Sequence, residues 1–518
     1  MGKIARYLNQ LIIGNVFDTP EILEMYSKDR SALKITPKAV AFPESTEDVR
    51  KLLRFCYQLA AKDLKIPVAV RGSGLDEMGA DLSNGIVIST EKINRLLESD
   101  RRERLVRVQA GITLKELNTA LSMHGLTIPV LGHELETIGG LISNGFLMPY
   151  VERIEIALSN GDILQTGRIG KYALSKKVQE KTLEGDIYRK ISKMIDVNEE
   201  AVKEIRKNPY NKTGYSNIAR AKYHNTIDIM PLLFGAEGTL GIITEVILSA
   251  VPISRRGTRV VASFKDFAGA EQYLRLVKEL KPSQLDLYDV DIIKIAEEAG
   301  KRVSDFVKKM DSGFIVMARF DKKSRSKIKR IMNHKNSLPR TAKIFVENLK
   351  NRTSFDEVEN SLTSFLYHDS KGERVPLLTD FYVPAKNLSG LIEDFAVLKE
   401  KTDLNLAFYG SYLDSNYSVR PKFDIADESF SKKATAFLRA GSFIIKRQNG
   451  FVTGGSPEGR VKAIVTNSEL STAEKNMYLE IKSIFDRYGV IGPDIKLGAD
   501  NRFTVRHFRT TDSPKIMI

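Results

Sequence analysis

The chain is 518 residues long, 42% hydrophobic and 28% charged, with a formal net charge of +15. That length suits two or three globular domains, and the excess of cations favours anionic partners: nucleic acid, acidic lipid or small anions. The single cysteine, Cys56, excludes disulfides, cysteine zinc sites and iron–sulfur clusters, and no charge-free stretch reaches the roughly 18 residues of a membrane span, so the chain reads as a soluble protein of a reducing, cytoplasmic compartment.

Residues 1–32 read as a helical lead-in, with no apolar run long enough for a signal peptide. Ser45 or Thr46 can cap the helix that follows, with Glu47 and Asp48 in its first turn. Val49, Leu52, Leu53 and Cys56 recur at helical spacing, which predicts a buried thiol. Residues 67–70 predict a short buried strand running into Arg71-Gly72-Ser73-Gly74, and 85–90 and 104–109 two further strands. In 112–125, Thr113 and Glu116 have capping-box spacing, Leu114, Leu117 and Leu121 share a face, and Gly125 ends the helix. Asn160 and Gly161 predict a hairpin turn.

Pro252 and the basic segment ISRRGT mark a domain boundary. Beyond it, RVVASF and GFIVMARF read as strands, and AGAEQYLRLVKEL and DVDIIKIAEEA as helices. The run 322–330 carries Lys322, Lys323, Arg325, Lys327, Lys329 and Arg330, with no acid between Asp321 and Glu347. No aromatic side chain is interleaved in it, which argues against a stacking nucleic-acid surface. An exposed helix face and a peripheral contact with acidic lipid at the inner membrane face both remain open.

Three segments carry chemistry. Arg71-Gly72-Ser73-Gly74-Leu75, with Gly79 beyond, follows a strand and brackets one residue between two glycines, so backbone N–H groups can crowd around a phosphate. Asp76, Glu77 and Asp81 place acids beside that loop. Thr137-Ile138-Gly139-Gly140 leads to Ser143 and Asn144, and its glycine pair suits close approach of a ligand or of a neighbouring helix. The third is Phe234-Gly235-Ala236-Glu237-Gly238-Thr239-Leu240-Gly241-Ile242-Ile243-Thr244.

In that order the three resemble the FAD-binding domain of the vanillyl-alcohol-oxidase/p-cresol-methylhydroxylase superfamily, in particular its branch of D-lactate dehydrogenases and glycolate oxidases. The resemblance implies an α+β protein: a helical lead-in (1–32), a two-subdomain FAD-binding domain of the PCMH type (33–252), an α+β cap domain (253–499) and a basic tail (500–518). It also implies noncovalent FAD, since Ser73 stands where covalently linked relatives tend to carry histidine. The cofactor residues it implies are Arg71, Gly72, Ser73, Gly74, Leu75 and Gly79 in the first segment, Thr137, Ile138, Gly139, Gly140, Ser143 and Asn144 in the second, and Glu237, Gly238, Gly241, Ile242 and Ile243 in the third.

On the substrate side, relatives hold a divalent metal with two histidines in a segment that corresponds to 409–421. Here both positions are serines, Ser411 and Ser418, so no metal site is expected. Glu458 corresponds to a carboxylate followed in relatives by histidine and here by Gly459. Arg352, Tyr412, Asn416 and Glu458 are the candidate catalytic residues, Arg352 as a clamp for a carboxylate. An exposed arginine and aromatic packing explain Arg352 and Tyr412 equally well. The expected function is FAD-dependent oxidation of a small anionic organic substrate, with electrons passed to an unidentified acceptor. The alternatives are a flavin-binding or flavin-free scaffold, and a basic nucleic-acid or membrane-surface binder.

Overall fold

The computed structural model describes every residue except 1, 131–132, 254–256, 290–291, 293–309, 311–312, 322–323, 349, 365–373, 456–457 and 510–518. Lys322, Lys323, most of DVDIIKIAEEA and the end of the basic tail therefore lie outside the described residues. Two compact units divide the chain, one formed by 1–253 with 456–509, the other by 254–455. The first unit is discontinuous: residues after 456 return to it, although the boundary drawn along the sequence places 456–499 with the second domain.

In the first unit, β1 (Asn15–Phe17), β2 (Ala39–Phe42), β3 (Val68–Arg71) and β4 (Ile86–Ser89) form a sheet in the order β1-β2-β4-β3. β2, β4 and β3 run parallel, and AVAF and IVIS are buried at every position, as parallel strands covered on both faces require. β1 lies inside the stretch read as helical. Its Val16 is tied at both backbone groups to the Asn9 side-chain amide, which accepts from Val16 N at 2.8 Å and donates to Val16 O at 2.7 Å. Helices occupy Lys3–Leu11 and Pro20–Met25 of the lead-in, and 26–32 follow mostly as turns and bends. Ser45 caps the Thr46–Ala60 helix by accepting from Asp48 N, and Cys56 is buried on its inner face.

A second, antiparallel sheet joins β5 (Leu96–Asp100), β6 (Leu105–Gln109), β7 (Val151–Ala157), β8 (Ile163–Gln165) and β9 (Ile242–Ser249) in the order β5-β6-β9-β7-β8. The predicted hairpin joins β7 to β8: Leu158 N donates to Asp162 O, and Gly161 N to Leu158 O. That makes a three-residue loop with Gly161 left-handed at φ +82°. The Leu114–Ser122 helix carries the full Thr113/Glu116 capping box.

The second unit is built on a seven-stranded antiparallel sheet. Its strands are β10 (Thr258–Phe264), β11 (Gln284–Asp289), β12 (Phe314–Phe320), β13 (Lys343–Val346), β14 (Leu378–Tyr382), β15 (Leu406–Ser411) and β16 (Asn416–Pro421), in the order β13-β10-β12-β11-β15-β16-β14. Helices at Phe267–Glu279, Arg352–Ser364, Leu388–Thr402 and Phe430–Arg447 accompany it, an α+β arrangement.

Candidate flavin site

At the end of β3 the chain turns through Gly72, Ser73 and Gly74. A Cβ on Gly72 would lie 2.3 Å from Thr137 Oγ1. One on Gly74, which sits at φ +71°, would lie 2.3 Å from Arg71 Nη2. Neither position accommodates a side chain without displacing its neighbour. The loop thus packs on Thr137, which caps the short Ile138–Ser143 helix by accepting from Gly140 N at 3.1 Å. Ser73 Oγ donates to Leu135 O at 2.6 Å, a second tie between the first two predicted segments.

These segments line one open cleft. Gly72, Ser73, Gly74 and Leu75 form one wall; Thr137, Gly139, Gly140, Ser143 and Asn144 form another; Glu237 and Ile243 close it. The other predicted residues act from outside the cleft. Ile138 and Ile242 are fully buried in the core, Gly79 packs on Leu33, Gly238 on Val70 and Gly241 on β7. Arg71 turns away, donating to Lys28 O at 2.6 Å with its guanidinium 5.0 Å from the Tyr26 ring centre. Sequence reasoning did not place Val70, Ala80, Thr90, Ala110 or Glu136 in the lining, because their types are ordinary core and surface residues.

The acids that follow the loop brace it. Asp76 Oδ2 accepts from Met78 N at 3.0 Å and Ala80 N at 2.7 Å, closing the turn. Burial, aided by Asp29, pushes the Asp76 carboxyl up to about 8, and burial likewise raises Asp81 well above the carboxylate range.

Glu237 reaches a buried ion triad. Lys496 Nζ lies 2.8 Å from Glu237 Oε1 and 3.1 Å from Glu458 Oε2 and donates to Gly235 O at 3.0 Å. Glu237 accepts from the backbone N of Glu458 and Gly459, and Glu458 accepts from Gly214 N and Thr466 Oγ1. Burial alone would lower the Lys496 ammonium, but Glu237 and Glu458 overcome it and raise it. Glu458 is fully buried with both oxygens engaged, so it fastens the returning segment to the third cofactor segment and is not at hand for a substrate.

The second unit does not assemble Arg352, Tyr412 and Asn416. Arg352 opens its helix half-exposed and contacts Glu347, just after β13 at one edge of the sheet. Tyr412 follows β15 and meets Lys278 of the Phe267–Glu279 helix, 5.2 Å from its ring centre. The Asn416 amide, with its nitrogen towards β14, donates to Asp380 O at 2.9 Å and Phe381 O at 3.0 Å. Ser418 Oγ accepts from Asp380 N at 2.8 Å, and Ser411 Oγ donates to Asp414 at 2.7 Å. Strand registers put Asp286, Tyr288, Tyr409, Ser411, Asn416, Ser418 and Arg420 on one sheet face. There Tyr288 Oη and Gln284 bond Asp286, whose carboxyl burial raises to about 6. Polar residues at every second position of β11 and β16 were the available sequence signal. Among the described residues, no group of His, Cys, Asp and Glu side chains could hold a metal ion.

A glycine-lined cleft, walled by backbone and small side chains, fits the diphosphate of a dinucleotide. Joined to an antiparallel sheet and followed by a separate α+β unit, it defines a two-domain flavin-binding fold. Residues 37–167 match the FAD binding domain, and residues 253–494 the C-terminal domain of FAD linked oxidases. The chain belongs to the FAD-linked oxidases, with FAD as cofactor. It is 24% identical to a D-lactate dehydrogenase of Archaeoglobus fulgidus, over 91% of this chain and 95% of that protein. To a D-2-hydroxyglutarate dehydrogenase of Pseudomonas putida it is 23% identical over 90% of this chain, but spans only 48% of that relative's length. Its fold is that of p-cresol methylhydroxylase, with a TM-score of 0.68 at 13% identity over 96% of this chain and 97% of the other.

Proposed function

We propose that the protein is an FAD-dependent oxidoreductase acting on a small anionic organic substrate, with electrons leaving to a separate acceptor. The observation that carries this reading is the convergence of all three cofactor segments on one cleft. Bound FAD supplies a two-electron acceptor for hydride. The chain's own part is to hold it noncovalently through the backbone of 72–75 and 137–140. The relatives named as dehydrogenases of D-lactate and D-2-hydroxyglutarate favour a 2-hydroxy acid or a close analogue.

For the substrate, the same face of the second unit's sheet carries Asp286 and Tyr409, with Arg420 beside Tyr409, as the candidate polar groups. Arg352 remains the alternative clamp, with its guanidinium shared with Glu347. Turnover proceeds without a divalent metal, because hydroxyls at 411 and 418 are poor ligands and both are engaged within the unit. The exposed cations Arg325, Lys329 and Arg330 of the Ser324–Asn333 helix make a peripheral contact with acidic lipid. Among the described residues no helix is long and apolar enough to cross a membrane.

The test is reduction of an artificial dye acceptor by the purified protein with a panel of 2-hydroxy acids, with and without chelator. Chelator-resistant turnover of at least one acid is expected. Chelator-sensitive turnover would contradict the metal-free site, and a bound flavin that no organic acid reduces would contradict the substrate class.

A further inference from the structure

Beneath the phosphate loop lies a buried charge cluster that FAD binding alone does not explain. Asp76 and Asp81 line the flavin cleft, and Asp29, from the lead-in, stands behind them at 1% exposure. Three guanidiniums approach the cluster, yet backbone carbonyls hold them. Arg71 donates to Lys28 O, Arg460 to Gly79 O, and Arg509 to Leu33 O and Asp29 O. The Arg71–Asp81 and Arg509–Asp29 ion contacts are only 3.9 Å approaches. Asp29 Oδ2, Asp81 Oδ1 and Arg460 Nε are buried with no hydrogen-bond partner. The other charged groups facing the cluster are Lys28, Arg30 and Glu77 at the loop's outer side, where Arg30 meets Glu77 at 3.9 Å, and Glu237 and Asp494 at its inner side.

A fully ionised trio of carboxylates in this position would leave two anionic oxygens buried without donors, which is costly. A proton on the cluster relieves this, because a protonated Asp81 can donate to Asp29. The diphosphate of FAD then brings further negative charge against Asp76 and Asp81, and like charges favour the neutral carboxyl.

We propose that FAD enters this cleft together with a proton, which passes from solvent onto the Asp29–Asp76–Asp81 cluster, so that cofactor affinity falls as pH rises. The inference rests on the FAD reading above and assigns Asp29, Asp76 and Asp81 as positioning residues for the cofactor. The sign follows from linkage. If the cluster binds its proton more tightly with FAD present, affinity is greatest below the free protein's titration. It declines by up to about tenfold per pH unit for one proton, until the loaded protein titrates in turn. With Asp76 at about 8 in the free protein, the decline begins there.

Calorimetric titration of the flavin-stripped protein with FAD, just above that pH and in two buffers of different ionisation enthalpy, counts the protons. Uptake of roughly one proton per FAD is expected. Asp81→Asn removes the orphaned carboxylate oxygen and should abolish most of the uptake and flatten the affinity above pH 8. Asp76→Asn, which keeps an acceptor for Met78 N and Ala80 N, is the second variant and should reduce the uptake, and if neither folds, the count on the unmodified protein decides. FAD binding with equal heats in both buffers would overturn the proton coupling and leave the cofactor assignment intact. No binding of FAD at any pH would overturn both.

Discussion

The flavin cleft and the β15–β16 hairpin are built in different ways. The cleft is walled largely by backbone and glycine; Leu75, Asp76 and Asp81 also line it, and Asp76 braces the turn by accepting from Met78 N and Ala80 N. The hairpin is held by side chains, with Asn416 and Ser418 tying β16 to the bend at Asp380 and Ser411 bonded to Asp414. A site made of main chain tolerates substitution around it. One made of side chains depends on each of them.

The sharpest break in that comparison comes from the cleft's own glycines. Gly74→Val should abolish flavin retention, since its Cβ would meet the Arg71 guanidinium at a left-handed backbone position; flavin absorbance of the purified variant reads this directly. Next in size, Lys496→Met leaves Glu237 and Glu458 buried side by side, and chemical denaturation should show a loss of about 3–5 kcal/mol. In the second unit, Asn416→Ala removes the donors to Asp380 O and Phe381 O. Stability should fall by about 1–3 kcal/mol, with flavin content of the folded fraction unchanged.

The pH response separates the two regions further. The folded-state carboxyl of Asp76 lies above its ordinary 3.8, so the stability it contributes is full below about 4 and is lost as pH rises through about 8. Asp76→Asn should therefore raise the melting temperature of flavin-stripped protein relative to the parent at pH 8, with the difference vanishing in acid. Equal differences at both pH values would show that the carboxyl is not perturbed. The smallest effect is at the surface: neutralising Arg325, Lys329 and Arg330 should change stability by less than about 0.5 kcal/mol while weakening sedimentation with anionic vesicles.

Most of the first unit was legible because its signals are local. Thr113 with Glu116, Ser45 with Asp48, and the apolar run of IVIS each determine their element within a few residues. The strand at Asn15–Phe17 was not, because it depends on the Asn9 amide and on pairing with β2. The candidate catalytic residues fared differently from the cofactor residues for a related reason. Motif correspondence gave the segments that carry Arg352, Tyr412, Asn416 and Glu458. Whether those side chains converge depends on strand order and on which face each presents. Glu458 is drawn into the Lys496 triad by a segment nearly forty residues further along, a contact no spacing announces.

The central claim is that this cleft holds FAD without a covalent bond. The most direct test is the visible spectrum of the purified protein, followed by denaturation and filtration of the released small molecules. The account predicts a yellow protein whose flavin passes entirely into the filtrate and is FAD by mass. A colourless protein that cannot be reconstituted with FAD, or flavin retained on the denatured chain, would contradict it.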